Sequence, residues 1–207
     1  MRDGRRKDEV PFGWMKRGEG EYPILNYMTY ESKDGDWGYC LLNYGIPAGS
    51  VVDGVLMLTL MRSAHIGENK GEAEGGFEEG RELTFHYRLK PFSGFFEPWR
   101  EGEIFTNRVL VKPYIGGEVP EESYVECKGC VLTAMKPSTD GVVLRMYNPK
   151  ERRNRCSIRI RGASEVYETG LCGGEPKRRM RSINGEIEIK MGRFEIKEFR
   201  VNVSGNT

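Results

Sequence analysis

The stretch between residues 51 and 89 constrains the fold more than any other part of the sequence. A turn at Asp53-Gly54 opens into an apolar run, residues 55–61, that stops at the charged Arg62. A membrane helix needs about 20 apolar residues, so this run is too short to cross a bilayer and predicts a strand covered on both faces. Residues 83–89 then alternate apolar and polar side chains with a period of two, which predicts a half-buried strand.

Short strand patterns separated by turn signals fill the rest of the chain, and no helical period of comparable length competes with them. The strand candidates are residues 24–30, 37–43, 142–149, 156–161, 165–168, 186–191 and 194–201, with a strand pair over residues 124–135. This arrangement predicts an all-β fold, a large antiparallel β-sandwich. We expect residues 1–20, charged and glycine-rich, to be a flexible lead-in, and residues 21–207 to form a single sandwich domain. Residues 170–182 read as a basic loop.

Composition excludes several classes of function. The formal net charge of +1 over 207 residues gives no strong field for nucleic acid or an acidic membrane surface. The first residues lack the apolar core of a signal peptide, and an odd count of five cysteines fits a reducing cytoplasm better than a disulfide framework. Glutamine is absent while Glu, Lys and Arg abound, which hints at a thermophilic source.

Several segments, in one order along the chain, resemble the C-terminal β-domain of glycoside hydrolase family 38, the α-mannosidases. Residues 53–63 look like its "L-T-L-L-R-S" segment, and residues 85–89 are similar to the "F-x-Y-x-L" that follows. Residues 38–47 resemble "G-x-x-L-L-N-x-G-L-P", and residues 131–148 resemble "V-x-x-A-x-K-x-S-x-D-G-x-V-L-R-x-Y-N". The closing strand resembles "P-x-E-I-K-T-F-x-V", with Arg193 in place of the Pro and Glu198 in place of the Thr.

The resemblance implies a β-supersandwich of the galactose mutarotase-like type and a place in an α-mannosidase. The family's zinc ion and Asp nucleophile belong to an N-terminal catalytic domain, and nothing in this sequence matches those segments. We therefore expect no cofactor in this chain, with zinc in the missing catalytic domain. The 207 residues would be a split subunit, a remnant or an excised domain.

Three functions stay open from the sequence. The chain is an accessory domain or subunit of a family 38 α-mannosidase, a stand-alone carbohydrate-binding module, or a structural β-sandwich without sugar contact. The expected partners are a mannosidase catalytic domain or a second copy of the chain, with a mannose-containing glycan as a further possibility. Nucleic acid and membrane are not expected.

Four residues are candidates for contact with substrate or with another domain. Arg62 and His65 lie at the end of the best-matching strand, on the side that faces the catalytic domain in the family; a structural ion pair is the alternative for Arg62. Trp99 lies in the aromatic segment 91–100, which either fills the core at a corner or offers a platform for a sugar face. Arg145 lies within the most specific motif, residues 131–148, with an inter-strand or surface ion pair as its alternative.

Two further segments invite a functional interpretation. The Gly/Glu-rich connection 64–80 is either a solvated link or a lid over a partner site; it lacks the Asp/Asn pattern of a calcium loop. Cys127-Lys128-Gly129-Cys130 carries the spacing of a zinc or redox pair, but the remaining cysteines are single and distant in sequence. Ordinary buried cysteines are the competing interpretation.

Overall fold

Antiparallel β-strands dominate the part of the chain that the structure describes. The structure, a computed structural model, describes residues 3–61, 80, 82–107, 109–113, 115–117, 123–182 and 185–203. Its described strands pair antiparallel throughout, and α1 (Pro98–Thr106) is the one α-helix among these residues. The predicted all-β antiparallel class is confirmed. Within the described part of the chain, no helix has the length and apolarity needed to cross a membrane.

The Cα positions divide the chain into two compact units, Met1–Leu110 and Val111–Thr207. The first unit contains a five-stranded sheet in the order β2-β1-β4-β5-β8 and a three-stranded sheet in the order β3-β6-β7. These strands are β1 (Arg5–Val10), β2 (Gly13–Arg17), β3 (Gly20–Pro23), β4 (Tyr27–Glu31), β5 (Trp37–Tyr44), β6 (Ala48–Val52), β7 (Val55–Leu58) and β8 (His86–Ser93).

The five-stranded sheet of the first unit is covered on both faces, by different elements. One face packs on the three-stranded sheet, where Met28 and Leu41 meet Leu56 and Leu58. The other face packs on α1, through a cluster whose buried members are Tyr27, Cys40 and Leu42 and whose partly buried members are Phe92, Phe96, Trp99 and Phe105. Period-two alternation along β4 and β5 sends successive side chains to these two cores.

Residues 5–17 belong to the first sheet, so the predicted flexible lead-in over residues 1–20 is wrong at these positions. The charges that suggested mobility are partly inward and paired. Arg6 and Asp8 form a buried ion pair with 2.7 Å between Nε and Oδ1. The Arg6 guanidinium also donates to the carbonyls of Gly20 and Gly49, at 2.7 Å and 2.8 Å. The single domain over residues 21–207 stays a prediction.

The apolar run after Asp53-Gly54 forms an edge strand rather than a strand covered on both faces. Asp53 and Gly54 both have positive φ, 50° and 76°, as a tight hairpin between β6 and β7 requires. Leu56 and Leu58 point into the core, whereas Val55 is 57% exposed. An apolar run in the sequence indicates that both faces of a strand are hydrophobic. It does not indicate whether other elements cover both faces.

The second unit also has two sheets. A five-stranded sheet in the order β10-β11-β16-β13-β14 accompanies a three-stranded sheet in the order β15-β12-β9. These strands are β9 (Val125–Lys128), β10 (Val131–Ser138), β11 (Gly141–Tyr147), β12 (Asn154–Ile160), β13 (Ala163–Thr169), β14 (Pro176–Met180), β15 (Glu186–Met191) and β16 (Ile196–Val203).

One hydrophobic core joins the two sheets of the second unit. Leu144, Met146 and Phe199 come from the larger sheet, and Ile158 and Ile187 come from the smaller one. The predicted alternation over residues 156–161 is confirmed, because the side chains at 156, 158 and 160 are buried and their neighbours are not. The predicted basic loop over residues 170–182 is wrong in its second half, where β14 forms the edge of the larger sheet.

Candidate functional site

An apolar groove in the first unit is a candidate surface for binding. One wall is the face of β5 and β8, contributed by Tyr39, Leu41, Tyr87 and Leu89. Leu41 and Leu89 are direct partners across the two strands and share this face. Leu41 is 7% exposed because the three-stranded sheet covers it, whereas Leu89 is 57% exposed. The smaller sheet therefore stops before β8, which is the outer strand of its sheet.

The opposite wall is the edge of the smaller sheet. It is formed by Leu56 and Leu58 on β7 and by Leu60 just beyond the strand. The groove has a volume of about 490 Å³, and its lining side chains carry no charge. Met61, 57% exposed, continues the apolar surface past Leu60.

The chemistry of this groove suits an apolar partner surface. Its polar side-chain atoms are the hydroxyl groups of Tyr39 and Tyr87, which cannot form a metal site or balance a charged ligand. Exposed apolar patches on a soluble protein commonly mark places where another polypeptide binds. Because β8 is an edge strand, it also presents backbone groups that an incoming segment can pair with.

Trp99 lies in α1, on the opposite face of the five-stranded sheet from the groove. Its ring is partly buried against Tyr27, Cys40 and Leu42. This packing favours the core-filling interpretation of the aromatic segment, while Phe95, 87% exposed, stays outside the core. A role for Trp99 in contact with substrate or with another domain stays a prediction.

Arg145 forms an inter-strand ion pair in the second unit. Its Nε and Nη2 donate to one carboxylate oxygen of Glu198 at 3.0 Å and 2.8 Å, and Glu198 lies directly opposite on β16. The backbone N–H of Gly173 donates to the other oxygen at 2.6 Å. Burial tends to raise the pKa of Glu198, but the Gly173 N–H and the guanidinium outweigh burial and hold that pKa below its ordinary value. The Nε and Nη2 groups of Arg145 are thus used in a pair between neighbouring strands, which favours the ion-pair interpretation of this residue.

Arg62 and His65 lie outside the described residues, as does most of the Gly/Glu-rich connection 64–80. Of the four predicted candidates, the described residues include Trp99, in the first unit, and Arg145, in the second. Among the described residues, no group of three or more His, Cys, Asp or Glu side chains could hold a metal ion. Cys127 and Cys130, the alternative zinc pair, are free thiols at the connection between β9 and β10.

The alternation pattern over residues 83–89 did not predict the groove, although two of the residues that line the groove belong to that pattern. Period-two alternation places Tyr87 and Leu89 on one face and predicts that the face is buried. Both side chains are exposed because β8 is an edge strand beyond the reach of the second sheet. Alternation within a strand does not show where a second sheet ends, because coverage depends on how the two sheets pack.

One family model matches part of the chain. Residues 129–199, all in the second unit, match the sequence profile of the glycosyl hydrolases family 38 C-terminal beta sandwich domain. The resemblance deduced from the sequence motifs is thereby confirmed. No curated protein matches the sequence significantly.

Two solved structures resemble the whole chain. One is an alpha-mannosidase from Enterococcus faecalis V583, with a TM-score of 0.71, 14% identity, and coverage of 99% of this chain and 24% of that protein. The other is a protein in the glycosyl hydrolase family 38 from Enterococcus faecalis, with a TM-score of 0.69, 16% identity, and coverage of 99% and 25%. At such identities the likeness establishes the fold. The chain spans about a quarter of the length of each of these proteins.

Proposed function

We propose that this chain is the C-terminal β-domain, or an accessory subunit, of a family 38 α-mannosidase. In this role it supports the hydrolysis of α-mannosides by a zinc-dependent catalytic polypeptide outside these 207 residues. The observation that carries the proposal is the joint match: a family profile over residues 129–199, and a fold similar over 99% of the chain to a quarter of an α-mannosidase.

The residues present do not fit a catalytic role. A retaining glycosidase uses two carboxyl groups about 5–5.5 Å apart, and no sequence motif here selects such a pair. The described residues also offer no cluster that suits zinc. We therefore assign zinc and the nucleophile to the catalytic polypeptide and derive no catalytic step from this chain.

The apolar groove supplies the physical basis for association. Tyr87 and Leu89 leave an apolar surface open to solvent, and burying such surface yields about 25 cal/mol per Å². Leu60 and Met61 extend the same surface. We assign the catalytic polypeptide of the mannosidase as the occupant, because the related solved structures contain a further three quarters of chain that could cover this face.

The first test is activity. The pure chain should not turn over a nitrophenyl α-mannoside, with or without added zinc. A mixture with a zinc-dependent mannosidase polypeptide encoded beside this chain should be more active, or more stable, than that polypeptide alone. Turnover by the pure chain that a chelator abolishes would overturn the accessory role.

The second test is association, measured by sedimentation velocity. Leu89→Asp should weaken the complex with the catalytic polypeptide by about 1–3 kcal/mol, because it places a charge in a desolvated apolar contact. Ile104→Asp is the matched control, since Ile104 is equally apolar and 61% exposed on α1 but lies outside the groove. If both variants bound the catalytic polypeptide with equal affinity, the groove would not be part of the interface.

Two other results of the same measurements favour the alternatives. A dimer of the chain alone that Leu89→Asp dissociates identifies a second copy as the occupant. Binding of the pure chain to mannose-containing glycans, with no catalytic polypeptide required, favours a stand-alone carbohydrate-binding module.

A further inference from the structure

Cys130, Cys156 and Met146 belong to the hydrophobic core of the second unit, and Cys127 packs against that core. The Cys130 Sγ also lies 3.7 Å from the Sδ of Met146. Cys130 and Cys156 are buried in the core, whereas Cys127 is partly accessible on the edge strand β9.

The backbone between the first two cysteines connects the two sheets of this unit. β9 ends at Lys128 in the three-stranded sheet, and β10 begins at Val131 at the edge of the five-stranded sheet. Gly129 makes the turn with a φ of 75°, a conformation that residues with a Cβ rarely adopt. A Cβ there would also lie 2.7 Å from the Arg155 carbonyl oxygen.

The same turn is fixed from the facing strand. The Gly129 carbonyl accepts from the Asn154 side-chain amide at 2.6 Å and from the Cys156 thiol at 3.2 Å. The two cysteines stand at the ends of this short turn and face the same core, so a local movement of the turn can bring their sulfur atoms to the S–S bond length of about 2.05 Å. The two thiols are also unequal. Interaction with the Cys130 thiol lowers the pKa of Cys127, and interaction with the Cys127 and Cys156 thiols raises the pKa of Cys130.

We infer that Cys127 and Cys130 are a redox-active dithiol that closes to a disulfide when the protein meets a low-molecular-mass disulfide such as oxidised glutathione. The Cys127 thiolate, the accessible member, attacks one sulfur of the small disulfide, forms a mixed disulfide and releases one small thiol. Cys130 then loses its proton, attacks the Cys127 sulfur and expels the second small thiol. Two electrons pass from the two protein sulfurs to the small disulfide, and both protons leave with the small thiols.

The metal interpretation of this cluster has less support. Soft metal ions favour several thiolates arranged around one point, and the described residues contain no such group. The inference does not depend on the proposed mannosidase role, because it rests on the thiol cluster alone.

The experiment titrates the full chain against mixtures of reduced and oxidised glutathione at neutral pH. Free thiols are blocked with N-ethylmaleimide, and the protein is mapped by mass spectrometry after tryptic digestion. Trypsin cleaves after Lys128, between the two cysteines, so the expected disulfide joins two otherwise separate peptides. The expected result is the loss of two reactive thiols together, with these peptides linked and Cys156 alkylated.

Variants assign the roles. Cys130→Ser should stop at the mixed disulfide with glutathione on Cys127, and Cys127→Ser should lose the two-thiol oxidation altogether. If Cys130→Ser does not fold, Cys127→Ser alone decides, because its side chain is not in the fully buried core. Cys40→Ser and Cys172→Ser are controls and should keep the glutathione ratio at half-oxidation within about twofold of the unmodified chain.

Three results would overturn the inference: no linked peptides at any ratio, a link between Cys130 and Cys156 instead, or oxidation that requires Cys172 and produces dimers. Cys156→Ser should still form the Cys127–Cys130 bond. Its failure to do so would place the reactive pair at Cys130 and Cys156.

Discussion

Arg145 on β11 donates two hydrogen bonds to a single carboxylate oxygen of Glu198, its direct partner on β16. The Glu198 side chain is nearly buried, so the guanidinium and the Gly173 N–H replace the water that the carboxylate gives up on folding. Arg145 matches the family motif, whereas Glu198 replaces the Thr of the family's closing strand. The ion pair is therefore a feature of this chain that the motif alone does not contain.

Removing the guanidinium should destabilise the second unit. Arg145→Met leaves the Glu198 carboxylate buried with two hydrogen bonds fewer, and we expect a melting temperature lower by about 5 °C near neutral pH. Calorimetry of the two proteins measures it. Arg159→Met is a suitable control, because Arg159 lies on β12 with a longer ion pair of 3.8 Å and a more exposed side chain. A similar loss in both variants would contradict the special contribution of the Glu198 pair.

The effect of Arg145→Met should also depend on pH. Since the folded pKa of Glu198 lies below its ordinary value of 4.5, the ion pair contributes stability above that pH and loses it as pH falls further. The difference in melting temperature between the two proteins should therefore shrink below about pH 4. A constant difference through the acid range would show that packing, rather than charge, accounts for the loss.

Gly141 should tolerate no side chain. It begins β11 with a φ of 153°, and a Cβ there would lie 2.1 Å from the carbonyl oxygen of Val201 on β16. Gly141→Ala must push the paired strands apart, and we expect the free energy of unfolding to fall by about 3 kcal/mol. Denaturant titration gives this value.

Gly173 provides the matched comparison for that substitution. It has a positive φ of 77°, but its Cβ position meets no atom within 4 Å, so Gly173→Ala involves the backbone conformation alone. We expect a loss of about 1 kcal/mol. If the two substitutions were equally harmful, close strand approach at Gly141 would not be the cause.

The residues that made the family recognisable in sequence are mostly fold determinants. Asn43 is an example: its buried side-chain amide donates to the Leu25 carbonyl at 2.7 Å and accepts from the Ile46 N–H at 3.0 Å. Asn148 does the same at the end of β11, donating to the carbonyls of Arg152 and Gly192 at 2.8 Å and 2.6 Å. Such residues identify the strands and turns of a fold, and for that reason they predicted architecture better than site.

The features that sequence could not predict depend on contacts between distant segments. The inward charges of β1 looked like a solvated segment, because the carbonyls of Gly20 and Gly49 that accept from Arg6 are far away in sequence. Alternation likewise predicted which face of β8 holds Leu89, but not that the second sheet ends before it. The local sequence pattern determines the face of the strand on which a side chain lies. Whether that face is covered depends on how the two sheets pack.

Truncation should cost much more stability at Leu41 than at Leu89. They are neighbours on one face of the same sheet, with Leu41 buried under β7 and Leu89 open to solvent. Leu41→Ala should lower the free energy of unfolding by about 2–4 kcal/mol through the cavity it leaves. Leu89→Ala should change the stability of the isolated chain by less than about 0.5 kcal/mol. A large loss on Leu89→Ala would mean that the groove is filled in the free protein.

Glu9 is the buried carboxyl group of the first unit that faces α1. Its Oε2 accepts the backbone N–H of Asn26 at 2.7 Å, and the residue is 4% exposed. Burial is the main reason that the pKa of Glu9 rises to about 7; the nearby Glu103 adds to the increase, and the Asn26 N–H opposes it. The folded protein therefore retains this proton at pH values where the unfolded chain has released it.

Stability should consequently fall as pH rises from about 4.5 to about 7, since the folded state binds the proton more tightly over this range. The shift corresponds to about 3 kcal/mol, at roughly 1.4 kcal/mol for each pKa unit. Glu9→Gln keeps an acceptor for the Asn26 N–H without a titrating proton. The free energy of unfolding of the variant, relative to that of the unmodified chain, should therefore rise as pH increases. By pH 8 this rise should amount to about 3 kcal/mol. Denaturant titrations at several pH values measure the difference, with Glu126→Gln, at an exposed position on β9, as the control. A difference between Glu9→Gln and the unmodified chain that stays constant with pH would show that Glu9 is already ionised in the folded protein.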